Sequence, residues 1–218
     1  MKSFVVIGLG RFGSNLAKTL FSLGYEVLAI DENEENVQKI SNFVTHAVIG
    51  DAKDENVLRS IGVRNFDCAV VAVSNDLESS VLISLMLKDM GVKYVVSKAQ
   101  SDLHAKVLQK IGVDKIVFPE KDMGMKVAQS LAMNNILDYI ELSDTYSIVE
   151  VIVPPKWVGK TLRDLDVRVN YGVNIIAIRH DVTKQIEVSP NPDNKLMEKD
   201  ALVIIGSNQD ISKISKLD

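Results

Sequence analysis

Residues 4 to 13 read Phe4-Val5-Val6-Ile7-Gly8-Leu9-Gly10-Arg11-Phe12-Gly13, and this stretch decides the fold. Its four apolar residues predict a buried strand, and its glycines have the GxGxxG spacing. Gly8 permits a tight turn, Gly10 lets the backbone approach a phosphate, and Gly13 lets the next helix pack closely. The first turn of that helix offers unpaired N–H groups to an anion. The stretch therefore predicts a nucleotide-binding βαβ unit.

The sequence around the glycine motif strengthens this interpretation, because a lone GxGxxG is weak evidence. A helix is predicted over 14–23 and ends at Gly24, and the next apolar run, 27–30, ends at Asp31. An acid about 20 residues after the glycines is the position that bonds the ribose hydroxyls of a dinucleotide. The charge of Asp31 also disfavours NADP, whose 2′-phosphate it would repel.

The same rhythm of strand, turn and glycine-ended helix continues to residue 118. A strand is predicted over 67–73, and its residues 68–73 are so continuously apolar that it should be buried on both faces. Strands that alternate with helices predict an α/β fold, a Rossmann-like doubly wound parallel sheet with its ligand beyond the carboxyl ends of the strands. The further predicted strands are 47–49, 94–96 and 115–118, and the helices are 54–61, 76–90 and 102–111.

The pattern changes after Pro119. A helix is predicted over 121–135, with Met123, Val127 and Leu131 on one side, either as a core face or as a subunit contact. Strands with few helices between them follow, which predicts a second, smaller α+β domain. We expect residues 1–134 and 135–218 to form the two domains. The later predicted strands are 147–153, 173–178, 185–188 and 201–205, with a turn at 164–168 and an edge at 171–176.

The composition narrows the class of protein. The 218 residues are 46% hydrophobic and 25% charged, and the net charge of -4 provides no basic field for nucleic acid. No apolar run approaches the roughly 18 residues of a membrane helix. The amino terminus enters the first strand without room for a signal sequence, so the cytoplasm is the expected compartment. Cys68 is the single cysteine, which excludes a disulfide within the chain.

Several polar residues are expected at the carboxyl rim of the sheet. Asp51 could meet the adenine or ribose, or it could cap the helix that follows. Arg11 could reach phosphates beyond the glycine loop, or it could pair with a surface acid. Lys98, His104 and Glu120 follow later strands and are either rim residues or solvated. A carboxylate such as Glu120 beside phosphates would make sense chiefly through a divalent cation.

The sequence offers little reaction chemistry. An NAD-dependent oxidoreductase would need a proton donor and a substrate domain beside the nicotinamide. The three histidines, His46, His104 and His180, are scattered along the chain. A nucleotide-binding fold without such groups favours a switch whose ligand biases how subunits are arranged. An NAD-dependent oxidoreductase, or a redox regulator that senses NAD(H), remains the alternative.

Four motifs together resemble the regulatory RCK subunits of bacterial Ktr- and Trk-type potassium uptake systems, the TrkA family. The resemblance covers essentially the whole chain and implies an RCK_N domain followed by an RCK_C domain. In that family the subunits form a ring, usually an octamer, on the cytoplasmic side of a membrane potassium-translocating subunit of the KtrB/KtrD type. ATP and ADP compete for the site, and ATP activates. The motifs are residues 7–13, 46–52, 98–100 and 118–124.

The resemblance also implies roles for individual residues. Arg11 would contact the terminal phosphates, Asp31 with Glu32 and Asn33 the ribose region, and Asp51 with Ala52 the adenine side. Glu120 would help place Mg²⁺ or another cation, and the helix after Pro119 would pair neighbouring subunits. The remaining implied cofactor-binding residues are Gly8, Gly10, Phe12, Gly13, Val73, Ser74, Asn75, Lys98, Ala99, Gln100 and His104.

RCK_C domains of Gram-positive bacteria are similar to receptors for cyclic di-AMP, which is bound between two such domains. Arg168 would neutralise phosphate there. The matching positions are Val167, Arg168, Asn174, Ile175 and Pro190. The chain differs from several members of the family in the glycine loop, where they have Gly-Gly and this chain has Gly13-Ser14.

Overall fold

The computed structural model describes residues 2–73, 76–132, 136–214 and 216–217. Two compact units make up the chain, Met1–Lys121 and Asp122–Asp218, and they divide inside a helix. The boundary predicted at 134 and 135 lies outside the described residues and stays a prediction.

The first unit confirms the predicted doubly wound sheet. Its described strands are all parallel, in the order β3-β2-β1-β4-β5-β6. The strands are β1 (Ser3–Ile7), β2 (Glu26–Asp31), β3 (His46–Ile49), β4 (Cys68–Val71), β5 (Val95–Lys98) and β6 (Lys115–Val117). The helices are α1 (Arg11–Ser22), α2 (Glu34–Ile40), α3 (Glu55–Ser60), α4 (Leu77–Asp89), α5 (Asp102–Ile111) and α6 (Pro119–Ala132).

Alternation along the strands explains the two apolar cores of this unit. Val5 and Ile7 of β1 pack on one face with Ile83 and Leu87 of α4, while Val6 packs on the other face. All four residues of β4 are buried, as predicted for a central parallel strand. Burial raises the pKa of the Cys68 thiol to about 11, which agrees with a core role.

The second unit contains an antiparallel sheet in the order β10-β9-β11-β8-β7. Trp157 and the buried faces of β8, β9 and β11 form its core. The strands are β7 (Ile136–Glu141), β8 (Tyr146–Ile152), β9 (Val173–Arg179), β10 (Ile186–Val188) and β11 (Ala201–Ser207). The helices are α7 (Leu162–Leu165), α8 (Val167–Tyr171) and α9 (Asn208–Ile214).

The predicted turn at 164–168 and edge at 171–176 were wrong. The first segment lies in two short helices, α7 and α8, and β9 has a neighbour on both sides. Thr161 and Asp164 form a capping box that begins α7, because each side chain accepts a hydrogen bond from the other residue's backbone N–H.

Candidate functional site: a cavity at the glycine loop

A cavity of about 310 Å³ lies beyond the carboxyl ends of β1, β2, β3 and β4. The strand order reverses between β1 and β4, and doubly wound folds bind their ligands at such a switch point. Gly8, Asp31, Asp51 and Val73 line the cavity, and each follows or ends a different strand. The predicted rim residues thus come together from distant parts of the chain.

The glycines fix the shape of the loop between β1 and α1. Gly8 has φ of +91°, and a Cβ there would lie 2.9 Å from the Val73 nitrogen. A Cβ on Gly13 would lie 1.9 Å from the Gly8 carbonyl oxygen. At Gly10 a Cβ would meet nothing within 4 Å. The loop therefore packs tightly on its inner side, and its Gly10 side is open to a ligand.

The amino terminus of α1 lacks a capping side chain of the kind that begins α2 to α5. Gly10 is its N-cap, so no side chain accepts a hydrogen bond from the first turn, which also carries no acid. The N-cap side chains of α2 to α5 do accept such bonds, and they belong to Asn33, Asp54, Asp76 and Ser101. The N–H groups and the positive dipole end of α1 are thus available to an anion.

Asp31 holds the glycine loop. Its carboxylate accepts hydrogen bonds from the backbone N–H of Leu9 at 2.5 Å and of Asn33 at 2.8 Å, and from the Asn36 amide at 3.4 Å. A carboxylate has about four acceptor sites, so Asp31 has room for about one more hydrogen bond. A ribose with two hydroxyls would need a second acceptor, and the exposed carboxylate of Glu32 is adjacent.

Carboxylates dominate the part of the cavity beyond β2 and β3. Asp31, Glu32 and Asp51 line this end, and the ammonium of Lys53 lies 3.7 Å from Asp51 and 3.9 Å from Glu32, whereas Asp76 lines the cavity where α4 begins. This excess of negative charge repels phosphate but accepts hydroxyl and amino groups. A 2′-phosphate at this end would face several carboxylates, which agrees with the predicted exclusion of NADP.

Asp51 does not cap the helix that follows it. Asp54 is the N-cap of α3, and its side chain accepts the hydrogen bond from the Asn56 N–H. The Asp51 carboxylate instead accepts a hydrogen bond from the Lys53 N–H at 2.9 Å and faces the cavity. Of the two predicted roles, the structure therefore supports the one at the rim.

A second cavity, of about 350 Å³, lies where β5 and β6 end. Ala99, Gln100 and Glu120 line it. The buried Lys98 ammonium donates a hydrogen bond to the Glu120 carboxylate at 2.5 Å, although that carboxylate is 73% exposed. The hydrogen bond from Lys98, together with the positive charge of Arg11, lowers the pKa of Glu120. The positive charges of Lys98 and Arg11 therefore both act on the same carboxylate.

Arg11 is exposed at the start of α1 and forms no ion pair with any carboxylate of the described residues. The alternative of a surface arginine paired with an acid is thus not what the structure contains. An unpaired guanidinium at the positive end of a helix adds to the anion-attracting field.

His104 and Phe12 lie away from both cavities. His104 is fully buried on α5, its Nδ1 accepts a hydrogen bond from the Gln100 N–H at 3.4 Å, and burial lowers its pKa. Phe12 lines an apolar groove that also contains Val70 and Val96. Among the predicted residues, those that line neither cavity are Arg11, Phe12, Gly13, Lys98 and His104. Ser74 and Asn75 lie outside the described residues.

Sequence reasoning missed four polar residues of the first cavity. Asn36 lies on α2, Lys53 follows β3, and Asp76 and Ser79 begin α4. The Ser79 hydroxyl donates a hydrogen bond to Asp76 and lowers the pKa of that carboxyl. Asp76 could have been found as the N-cap after a buried strand, whereas Asn36 and Lys53 carry no distinguishing signal.

The residues suit a divalent cation only in company with a ligand. The described residues contain no group of three or more His, Cys, Asp or Glu side chains that could hold a metal ion. The exposed carboxylate of Glu120 is a suitable oxygen ligand, and Mg²⁺ commonly takes one or two carboxylates, phosphate oxygens and water. A cation here would have to be shared with a bound phosphate, and the Glu120 oxygen that Lys98 does not bind is available to it.

The residues predicted for a cyclic dinucleotide gather at the start of β9. Arg168 and Asn174 are exposed, on α8 and β9 respectively. The Ser189 N–H donates a hydrogen bond to the Ile176 carbonyl, so the turn that begins at Pro190 lies beside the start of β9. Arg168 and the Pro190 turn thus lie on segments next to β9, whereas Val167 lies in the apolar core and Ile175 packs against it.

Two family models match the chain. The TrkA-N domain matches residues 4–119, and the TrkA-C domain matches residues 147–217. The chain belongs to the TrkA family. The motifs at the glycine loop and after Pro119 had predicted this membership.

Curated relatives of this TrkA-family chain extend over nearly its whole length. Ktr system potassium uptake protein C of Bacillus subtilis is 46% identical over 215 residues, which cover 99% of this chain and 96% of the relative. Protein A of the same system and organism is 48% identical over 212 residues, which cover 97% and 95%. No described helix is long and apolar enough to cross a membrane.

A solved structure has the same fold. The crystal structure of the GsuK RCK domain has a TM-score of 0.51 and 23% identity, and it matches 99% of this TrkA-family chain. This chain spans 46% of that one. The likeness confirms the RCK arrangement of a Rossmann-like domain followed by a smaller one.

Proposed function

We propose that this chain is a regulatory subunit of a potassium uptake system and that it responds to ATP and ADP bound in the glycine-loop cavity. The names of its Bacillus subtilis relatives support the system. The single observation that supports an adenine nucleotide as the ligand is the distribution of charge around the cavity. The uncapped start of α1, with Arg11 as its first residue, borders the cavity at Gly10, and the carboxylates of Asp31, Glu32 and Asp51 line its β2 and β3 side.

This distribution of charge gives the nucleotide a direction. The phosphates lie against the N–H groups of α1 and extend toward Arg11 and Lys98. Asp31 and Glu32 share the ribose hydroxyls, and the adenine lies beside Asp51 and Ala52. The third phosphate of ATP reaches furthest toward Arg11, so ATP gains a contact that ADP lacks. Mg²⁺ or another cation joins that phosphate to Glu120.

Two apolar surfaces of the first unit support assembly with further copies. One surface is on α4 and α5, where Leu82, Leu85, Leu103 and Val107 are exposed. The other is the groove that contains Phe12, Val70 and Val96, with a volume of about 600 Å³. Because the two surfaces lie on opposite faces of the sheet, copies can join through each in turn. We propose a closed ring, an octamer.

The helix after Pro119 provides a further contact between copies in the proposed ring. Met123, Val127 and Leu131 of α6 are exposed in the chain, so the stripe is not a core face here. An apolar stripe of this kind suits contact with a neighbouring copy. The ring would act on a separate membrane subunit of the KtrB/KtrD type that conducts potassium, at the cytoplasmic face of the membrane.

The second unit is proposed to bind cyclic di-AMP. Arg168 is free to pair with a phosphodiester, because it has no ion pair among the described residues. Asn174 offers an amide to a base edge, and Ile175 with Pro190 offers apolar surface to the adenine rings. Val167 is buried beneath them and supports α8.

Titration calorimetry with ATP, ADP and NADH tests the nucleotide proposal. We expect ATP and ADP to bind more tightly than NADH, and Arg11→Ala to weaken ATP by roughly tenfold more than ADP, as for the loss of one charged phosphate contact. Arg59→Ala is the matched control, because Arg59 pairs only with the exposed Glu55 on α3. Tighter binding of NADH, with oxidation of it in the presence of a substrate, would refute the proposal.

A further inference from the structure

The second unit contains a histidine between two carboxylates, outside every site described above. His180 follows β9, and its Nδ1 lies 3.0 Å from an Asp200 carboxylate oxygen. Its Nε2 lies 3.5 Å from an oxygen of Glu187, a residue of β10. Asp200 is 3% exposed, and its other oxygen accepts a hydrogen bond from the Asp181 N–H at 3.0 Å. The imidazole thus links two segments of the unit.

Glu187 in turn holds the turn that follows β10. One of its oxygens accepts hydrogen bonds from the Asn191 N–H at 3.2 Å and from the Asn194 amide at 2.8 Å. The other oxygen accepts from the same Asn194 amide at 3.0 Å and faces His180. This turn begins with Pro190, so one carboxylate connects the imidazole to the proposed ligand surface.

The protonation state of His180 decides whether its contact with Glu187 is favourable. The buried carboxylate of Asp200 accepts a hydrogen bond, so Nδ1 carries a proton in either state. In the imidazolium, Nε2–H also points at Glu187 and attracts it. In the neutral ring, Nε2 presents a lone pair to a carboxylate oxygen, and the contact becomes repulsive.

The charges around the imidazole favour the protonated form. The hydrogen bond that the imidazole donates to Asp200, with a smaller contribution from Glu187, raises the pKa of His180 above its ordinary value of 6.5. Of the other charged groups nearby, Asp181 pairs with Lys184 in the turn and Arg179 pairs with Glu150, while the positive charge of Lys199, next to Asp200 in the sequence, acts on Asp181. Because the pKa of His180 is higher in the folded chain than in the unfolded chain, the stabilisation of the fold by this ion pair is complete below pH 6.5. It is lost as the pH rises through the pKa of the folded state.

We propose that Glu187 is a positioning residue. Its ion pair with the imidazolium of His180 holds the Pro190 turn in the conformation that binds the cyclic dinucleotide. Binding of the dinucleotide therefore weakens as His180 loses its proton. This inference rests on the proposed ligand of the second unit. Neither His180 nor Glu187 touches the ligand. They act through the turn that Asn191 and Asn194 hold in place.

Calorimetry on the full chain at about pH 6 and about pH 8 tests the proposal, because His180 keeps its proton below pH 6.5 and loses it as the pH rises through its raised pKa, whereas the charges of cyclic di-AMP do not change. We expect affinity for cyclic di-AMP to fall by at least roughly fivefold between the two, the lower end of usual couplings between sites. His180→Gln and Glu187→Gln should each bind with one affinity at both values. His46→Gln, a change at an exposed histidine of the first unit, should keep the fall.

The same pH dependence in His180→Gln as in the unchanged chain would overturn the proposal. A ligand-free measurement separates this failure from failure of the ligand itself. In an NMR titration, the amide signals of Asn191 and Asn194 should shift with the same midpoint as the His180 ring, above 6.5. If the chain does not bind cyclic di-AMP, the proposed ligand is wrong. If the amide signals of the turn do not change as His180 titrates, the positioning role is wrong.

Discussion

At the scale of the residue, Asp31 combines a structural role with a proposed ligand role. Its carboxylate satisfies the N–H of the buried Leu9 and leaves about one acceptor site for a ribose hydroxyl. The GxGxxG motif with a later acid predicts the second role but not the first. The loop and its ribose contact are therefore coupled through a single side chain.

The first prediction separates these two roles. Asp31→Ala leaves the Leu9 N–H without its partner and should lower the free energy of unfolding by about 1–3 kcal/mol, in addition to weakening ATP and ADP. Glu32→Ala is the control, since Glu32 is exposed and its contact with Lys53 is long. It should weaken the nucleotides but change stability by less than about 0.5 kcal/mol. Urea unfolding and calorimetry measure both, and equal stability of the two variants would contradict the assignment.

At the scale of the element, the glycine loop has a packed side and an open side. A methyl group on Gly13 would overlap the Gly8 carbonyl, whereas one on Gly10 would meet open space. The two glycines share a motif, but the structure gives them different tasks. Gly13 lets α1 pack on the loop, and Gly10 keeps the helix start accessible.

The second prediction follows from this difference. Gly13→Ala should destabilise the chain by about 3 kcal/mol or more, because backbone atoms would have to move. Gly10→Ala should leave the melting temperature nearly unchanged and weaken ATP and ADP, because its methyl group occupies the ligand side. Thermal unfolding with calorimetry checks both variants. A stable Gly13→Ala, or full ATP affinity in Gly10→Ala, would contradict the division of roles.

The elements that the sequence predicted best are those with strong local patterns. The helix at 102–111 has the predicted bounds, since Ser101 caps its start and Gly112 ends it. The second unit was harder, because β7 and α9 depend on their partners in the fold, β7 on its pairing with β8 and α9 on the apolar core. Two signals for its helices were present in the sequence. Thr161 with Asp164 is a capping box, and Ile211 with Ile214 has helical spacing.

The position of the cavity, but not its full lining, was predictable from the strand pattern. Residues that end strands, such as Asp31 and Asp51, must meet at one edge of a parallel sheet. The direction of a side chain is set by packing, which the sequence does not reveal. Phe12 therefore lies in the apolar groove, and Lys53 joins the cavity without a motif.

At the scale of the whole molecule, exposed leucines and valines on α4 and α5 are the clearest sign of assembly. Leu103 lies in the first turn of α5, two residues after the N-cap, and its side chain is 71% exposed. Its neighbours Leu82, Leu85 and Val107 extend the apolar surface. An isolated chain would leave all of these side chains in water.

The third prediction concerns this surface. Leu103→Asp should reduce the mass of the assembly, because a carboxylate would be buried between copies. Thermal stability of the separate chains should hardly change, since Leu103 makes no core contact. Val182→Asp is the control, at a valine that is 93% exposed in a turn of the second unit. Light scattering measures the mass, and an unchanged mass in Leu103→Asp would remove this surface from the proposed ring.

The central claim is that the adenine nucleotide changes how copies of the chain fit together. Small-angle X-ray scattering of the purified assembly, with saturating ATP and then with saturating ADP, tests it most directly. The account predicts the same mass in both states with different distance distributions. Arg11→Ala should scatter alike with either nucleotide. Superimposable curves for the unchanged protein with ATP and ADP, at proven saturation, would contradict the account.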